Sequence, residues 1–228
     1  MIPPAKSELK INWNYKTLWV QLQENVEYKG KNVTMLEFDW QGIWTYRKLV
    51  RFMLWLENGN TNSIAFASDL EFIDWTIGFD MLSTVSKNGI PGARWFAGIA
   101  FRASNDFWEY ESFYLRPSNG RIDNPIKKGH ATQYISYPKY EFDTFRKIAP
   151  EKYESSADIW LDEWTHIKIK VDWKNAKFYV NSILVLEVDD LKLGADKKGL
   201  VWFWIWIWTK AYFANLKVTA QEIEKVVF

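Results

Sequence analysis

Residues 164–172 read Trp-Thr-His-Ile-Lys-Ile-Lys-Val-Asp, with Thr165, Ile167, Ile169 and Val171 on one side and His166, Lys168, Lys170 and Asp172 on the other. A two-residue period is the mark of a half-buried β-strand. It recurs along almost the whole chain, whereas the 3.6-residue period of helices is hard to find. The pattern predicts strands at 33–38, 51–56, 64–67, 72–82, 94–103, 107–116, 132–137, 156–161, 164–172, 177–181, 183–188, 200–208 and 211–219. Turn signals such as Asn58-Gly59, Asn119-Gly120 and Trp173-Lys174-Asn175 punctuate them. Many short antiparallel strands are buried most economically as two packed sheets. With no repeat and no linker, the 228 residues read as one β-sandwich domain, 1–228. The stretch 121–155, with Pro125, Pro138 and Pro150, is the irregular part and is expected to form long loops at one edge.

Several functions are excluded by what the chain lacks. It has no cysteine and only two histidines, which leaves no thiolate nucleophile, disulfide framework or His-rich metal cluster. No metal or cofactor is implied. Lys and Arg total 29 against 28 Asp and Glu, so the basic footprint of a nucleic-acid or anionic-membrane partner is missing. The longest apolar run, Leu200 to Trp208, falls well short of the ~18 residues of a membrane helix. The opening MIPPAKSELK carries no apolar signal stretch. What the chain has in excess is aromatic surface: 15 Trp, 15 Phe and 11 Tyr. Indoles are costly core filler and effective holders of flat or apolar ligands.

Several segments resemble the concanavalin A-like jelly-roll proteins of the bacterial sugar-hydrolase type. They are Phe96-Ala-Gly-Ile-Ala-Phe-Arg-Ala103, Tyr110-Glu-Ser-Phe-Tyr-Leu-Arg-Pro117, Gln133-Tyr-Ile-Ser136, Glu163-Trp-Thr and Lys198-Gly-Leu with Ala211-Tyr-Phe-Ala-Asn-Leu-Lys-Val218. The resemblance covers about residues 65–219. It implies an all-β jelly-roll sandwich of two curved antiparallel sheets, an exported bacterial parent, and ligands lying across a concave face. Arg102, Tyr114, Arg116 and His130 are the cleft-side candidates that it implies. The chain departs from the family where Gly-Phe-Trp-Ile-Gly is expected and Trp202-Phe-Trp-Ile-Trp206 stands, and where an acidic residue is expected and Gly78 stands. Glycines exchanged for tryptophans beside a small residue read as an engineered pocket.

In 200–208 the row Val201, Phe203, Ile205, Ile207 opposes the row Trp202, Trp204, Trp206, Trp208. Four indoles in file span about 20 Å and would overfill the ~10 Å layer between two sheets. The aliphatic row is therefore expected to face the opposite sheet and the tryptophans the cleft, flanked by Trp75 and Phe96. A small, ring-rich apolar molecule is the favoured ligand. Three other readings stay open: a row buried as core under the 121–155 loops, a carbohydrate platform or glycoside-hydrolase cleft, and an exposed face for homo-oligomers. Trp40-Gln-Gly-Ile-Trp44 has no clear period and reads as a loop over the cleft mouth.

Catalysis is not expected. Glycosidases need paired carboxylates across the scissile bond. Glu109 and Glu111 share a face with Phe113, opposite Tyr114 and Arg116, and read as one structural and one solvated glutamate. Asp158, Asp162 and Glu163 read as a solvated turn and His166 as solvent-facing. His130, in a loop near the cleft, has no base or metal beside it in sequence.

Overall fold

The computed structural model describes residues 17–18, 20–38, 62–72, 75–87, 89, 94–106 and 108–220. The predicted strand 51–56 and the Trp40–Trp44 segment lie outside them. Fourteen strands are found among the described residues, and every pairing between them is antiparallel. One sheet orders β1 (Thr17–Leu18), β4 (Asn62–Phe72), β13 (Gly199–Trp206), β6 (Ala97–Ala103), β7 (Tyr110–Leu115), β8 (Thr132–Tyr137) and β9 (Glu154–Ser155). The second orders β12 (Ile183–Val188), β11 (Asn175–Val180), β10 (Thr165–Asp172), β5 (Trp75–Val85), β14 (Thr209–Ala220), β3 (Lys31–Phe38) and β2 (Val20–Tyr28). We refer to them as the front and back sheets.

Alternation decides what lies between them. Ile77, Phe79 and Met81 of β5 and Ile167, Ile169 and Val171 of β10 meet Ile99, Phe101, Phe113, Val201, Phe203 and Ile205 of the front sheet in one buried core. Phe203 stacks on Phe213 at 4.1 Å and Phe113 on Phe178 at 4.5 Å, so aromatic rings bridge the layers. Val201, Phe203 and Ile205 of β13 face inward, as their parity predicts, while Ile207 falls in the turn after the strand. Two-residue turns join neighbours: Lys29 and Gly30, both at positive φ (44° and 76°), close the β2–β3 hairpin in the conformation that matches strand twist.

Three departures from the sequence reading have local causes. Strand β2 was not predicted because its residues, VQLQENVEY, are mostly polar, and at the sheet's edge most of them are exposed. The predicted strand 156–161 does not form: the two-residue β9 (Glu154–Ser155) ends just before it, Arg121 bridges Asp158 (2.6 Å) and Glu163 (2.8 Å), and the chain leaves the sheet. The irregular stretch holds short helices as well as loops: α2 (Pro125–Gly129) and α3 (Phe142–Ile148), with α1 (Pro117–Gly120) just before it. Pro at the first turn of α1 and α2 suits the helix start, where the missing N–H has no partner to lose.

Candidate functional site

The outer face of the front sheet carries a second packed layer. Phe96, Ala100, Tyr110, Tyr114, Trp202 and Trp204 form its buried part, with Trp206 and Phe142 packed at its margin. Register explains the fit: Trp204 stands across from Gly98 and Trp202 across from Ala100, so each indole faces a small neighbour. Tyr114 stacks on Trp204 at 4.5 Å, and Tyr110 lies 5.7 Å from Trp202. Trp202 and Trp204 are both 0% exposed. They have the predicted parity but are core, and no ligand-facing wall or free dimerisation face is built from them.

The tryptophan file also ends early. Strand β13 stops at Trp206, and Trp208, at φ 65°, sits in the β13–β14 turn with its ring 5.3 Å from Phe38 of the back sheet. Trp75 does not flank a cleft either: it begins β5 in the back sheet and packs at the edge of the inter-sheet core. Gly78 is on the same strand, paired with Lys168 and Lys217, so its small size makes no room at the front face. Arg102 is the remaining correction. Its φ of 51° breaks the alternation, and its side chain is fully buried beside Glu111 (3.7 Å), donating to the carbonyls of Gly194 (2.8 Å) and Trp173 (2.5 Å). It ties the β10–β11 turn to the front sheet and does not line the cleft described below.

Trp206, Phe96, Tyr114, Arg116 and His130 do converge, on a cleft of about 770 Å³. The sheet supplies the floor through Phe96, Tyr114 and Trp206, whose rings lie 5.8–6.0 Å apart in successive pairs. The loop around α2 supplies one wall with Lys127 and His130, and α3 the other with Glu141, Phe142 and Arg146. Arg94 stands at the rim.

Arg116 organises the floor. Nη1 donates to Glu154 Oε1 (2.9 Å) and the His130 carbonyl (2.9 Å), and Nη2 to the Tyr114 hydroxyl (3.0 Å) and Gln133 Oε1 (2.9 Å). Its guanidinium also lies over the rings of Phe96 and Tyr114 at 5.2 and 5.1 Å. Arg146 grips the same Glu154 through Nε (2.7 Å) and Nη2 (2.5 Å). Burial alone would push the Glu154 carboxyl up, but the Arg146 hydrogen bonds and both guanidinium charges hold it below the usual range. His130 Nε2 is 3.6 Å from Glu154 Oε2, and burial lowers its pKa, which leaves it neutral at pH 7. Glu141 moves the other way: burial, with Asp143 nearby, raises its pKa to about 7.

Glu109 and Glu111 behave as their parity foretold. Glu111 is buried, accepts from the Tyr134 hydroxyl (2.8 Å) and pairs with Arg102, with burial raising its pKa; Glu109 pairs with Lys197. His166, half exposed, bonds Asp80 at 2.7 Å. The sequence reading missed Gln133, Glu154, Glu141, Phe142, Arg146, Lys127 and Arg94. A partial signal existed in Phe142-Asp-Thr-Phe145-Arg-Lys, whose aromatic residues three apart suit one face of a helix.

No family model matches the sequence, and no curated protein matches it. Solved structures do match. The carbohydrate-binding module CBM66 from Bacillus subtilis superposes with a TM-score of 0.58 at 12% identity, over 90% of this chain and 95% of that one. A Bacillus subtilis protein of unknown function with a galectin-like fold gives 0.55 at 11% identity, over 91% and 89%. A Bacillus licheniformis beta-glucanase gives 0.51 at 8%, over 92% of each. At such identities the likeness is one of fold. The two seven-stranded antiparallel sheets of the described residues, packed face to face and matched across nearly the whole of these neighbours, give the chain a concanavalin A-like jelly-roll fold.

Proposed function

We propose that the protein binds carbohydrate in the cleft above Arg116, without catalysing its hydrolysis. The observation that carries this reading is the mixed character of the cleft: the part-exposed flat rings of Trp206 and Phe142 stand beside polar side chains (Ser118, Asn119, Lys127, His130, Arg146). Sugar rings present apolar C–H faces that stack on aromatics and hydroxyls that need hydrogen-bond partners in place of lost water. The neighbours of the same fold include a carbohydrate-binding module and a glucanase, which supports the reading. Hydrolysis is left out because the carboxylate at the floor, Glu154, is held by two arginines and is a poor nucleophile or base in that state, while the other cleft carboxyls, Glu141 and Asp143, both stand on the α3 wall rather than on opposite sides of a bound bond.

A second reading, a small ring-rich apolar ligand such as a sterol-like molecule, is favoured by one observation, the cluster of Phe96, Ile122, Phe142 and Trp206 in the same cleft. Its intended wall, Trp202 and Trp204, is closed by packing. Packing also accounts for tryptophan at these positions without an engineered pocket.

Intrinsic tryptophan fluorescence, titrated in parallel with an oligosaccharide panel and with sterol-like compounds, separates the two. Saturable shifts with saccharides that disappear in Trp206→Ala support the proposal. Shifts with sterol-like compounds alone refute it and restore the apolar reading.

A further inference from the structure

The charge on the cleft walls says more about the ligand than the fold does. Four permanent cations, Arg94, Arg116, Lys127 and Arg146, face three carboxyl groups, Glu141, Asp143 and the underlying Glu154. They are not evenly matched. Glu154 alone neutralises one charge of the Arg116 and Arg146 pair, and Asp143 has Lys147 at 3.8 Å on its own helix. Neither Arg94 nor Lys127 makes an ion pair among the described residues, and both are exposed. Arg146 uses Nε and Nη2 on Glu154, and its Nη1 has no hydrogen-bond partner among the described residues. Arg116, by contrast, is 4% exposed and has both terminal nitrogens engaged.

The cleft thus separates a satisfied floor from an unsatisfied rim. Arg146 and Lys127, with N–H donors left unused by the protein, line the same cleft as Arg94 and the aromatic rings. A neutral sugar offers these cationic donors only uncharged hydroxyl oxygens, whereas a carboxylate accepts two or more charge-assisted hydrogen bonds, and a guanidinium suits its planar geometry. The part-exposed rings of Phe142 and Trp206 suit the pyranose that carries it. A volume of about 770 Å³ falls in the range of small-molecule clefts, roughly 300–1,000 Å³, and admits a short oligosaccharide.

We infer that the saccharide recognised in this cleft is acidic, a hexuronic-acid oligosaccharide whose carboxylate is held by Arg146, Lys127 and Arg94 over the aromatic floor. This rests on the carbohydrate-binding reading and specifies its ligand class.

The test is isothermal titration calorimetry of the full chain with three matched ligands of two to four sugars: a hexuronate oligosaccharide, its methyl ester and the neutral hexose equivalent. Inorganic sulfate and free acetate serve as competitors. The hexuronate is expected to bind about tenfold or more tightly than its methyl ester, one charge-assisted contact being worth about that factor. Lys127→Ala and Arg94→Ala, at exposed positions outside the Glu154 network, are each expected to weaken hexuronate binding severalfold. Neither should change the thermal midpoint. Arg146→Lys keeps a charge near Glu154 but loses the second fork of donors, and it should weaken binding as well. Equal affinity for the hexuronate and its neutral equivalent overturns the inference and leaves carbohydrate binding standing. Silence toward every saccharide overturns both. Full competition by millimolar sulfate or acetate reduces the site to a simple anion trap and overturns the inference too.

Discussion

Replacing Trp204 by alanine tests whether the outer aromatic layer is packed core or ligand surface. The indole is 0% exposed and stacks on Tyr114 at 4.5 Å with 25° between the rings. Removing it leaves a void bounded by a sheet that cannot collapse, because Tyr114 is itself held by Arg116 at its hydroxyl. Buried Trp→Ala changes cost about 3–5 kcal/mol, of which the lost stacking accounts for about 0.5–1.5. For a domain of this size that lowers the melting temperature by roughly 6–20 °C, at 2–4 °C per kcal/mol. Trp206, half-buried at the cleft, should lose only about 1–2 kcal/mol on the same change. Urea and thermal unfolding followed by far-UV circular dichroism measure both variants without depending on the indoles that were removed. A Trp204→Ala protein within about 1 kcal/mol of the parent, or a Trp206→Ala protein equally damaged, would refute the assignment of one to core and the other to cleft.

Three further outcomes follow from the same geometry. Gly98→Ala should destabilise by about 1–3 kcal/mol in the same unfolding assay, because the added Cβ would lie 2.2 Å from the Phe113 carbonyl oxygen and 2.6 Å from Tyr114 Cα on the neighbouring strand. Glu154→Gln should cost about 3–5 kcal/mol at pH 7 by leaving Arg116 and Arg146 without their shared anion. Because the native Glu154 pKa is depressed, this contribution is present above pH ~4.5 and is lost as pH falls through the native value; melts between pH 3 and 7 should show the loss in the parent and not in the variant. Glu141 has the opposite sign: with a native pKa raised to about 7, the folded state holds its proton more tightly, and stability falls as pH rises from about 4.5 to 7. Glu141→Gln should flatten that slope by about 1–2 kcal/mol, after allowance for the group's partial exposure, in melts across the same window.

The parts of the molecule legible in its sequence are those that alternation alone decides. Val201, Phe203 and Ile205 could be assigned to the inter-sheet face and Trp202, Trp204 and Trp206 to the other, because a strand has only two faces. Glu111 could be set against Arg116 by the same parity. The argument failed wherever the backbone left the regular pleat. At Arg102 and Trp208 a positive φ turns the chain, and no neighbouring glycine or asparagine announced it.

Parity names a face, but strand order says what stands opposite it, and strand order is a property of the whole chain. Trp75 and Gly78 have unremarkable places in an alternating strand; only the pairing of β5 with β10 and β14 puts them on the back sheet, away from the cleft. The ion cluster at the floor joins Arg116 to Glu154 across 38 residues, with Arg146 contributed by a helix between them. Sequence by itself thus determined the strands, their two faces and the sandwich that buries one face of each. Tertiary structure alone decided that two tryptophans are sealed while a third is open, and which charges meet above Arg116. Burial and ion pairing depend on neighbours brought from distant parts of the chain, and a two-residue period carries no record of them.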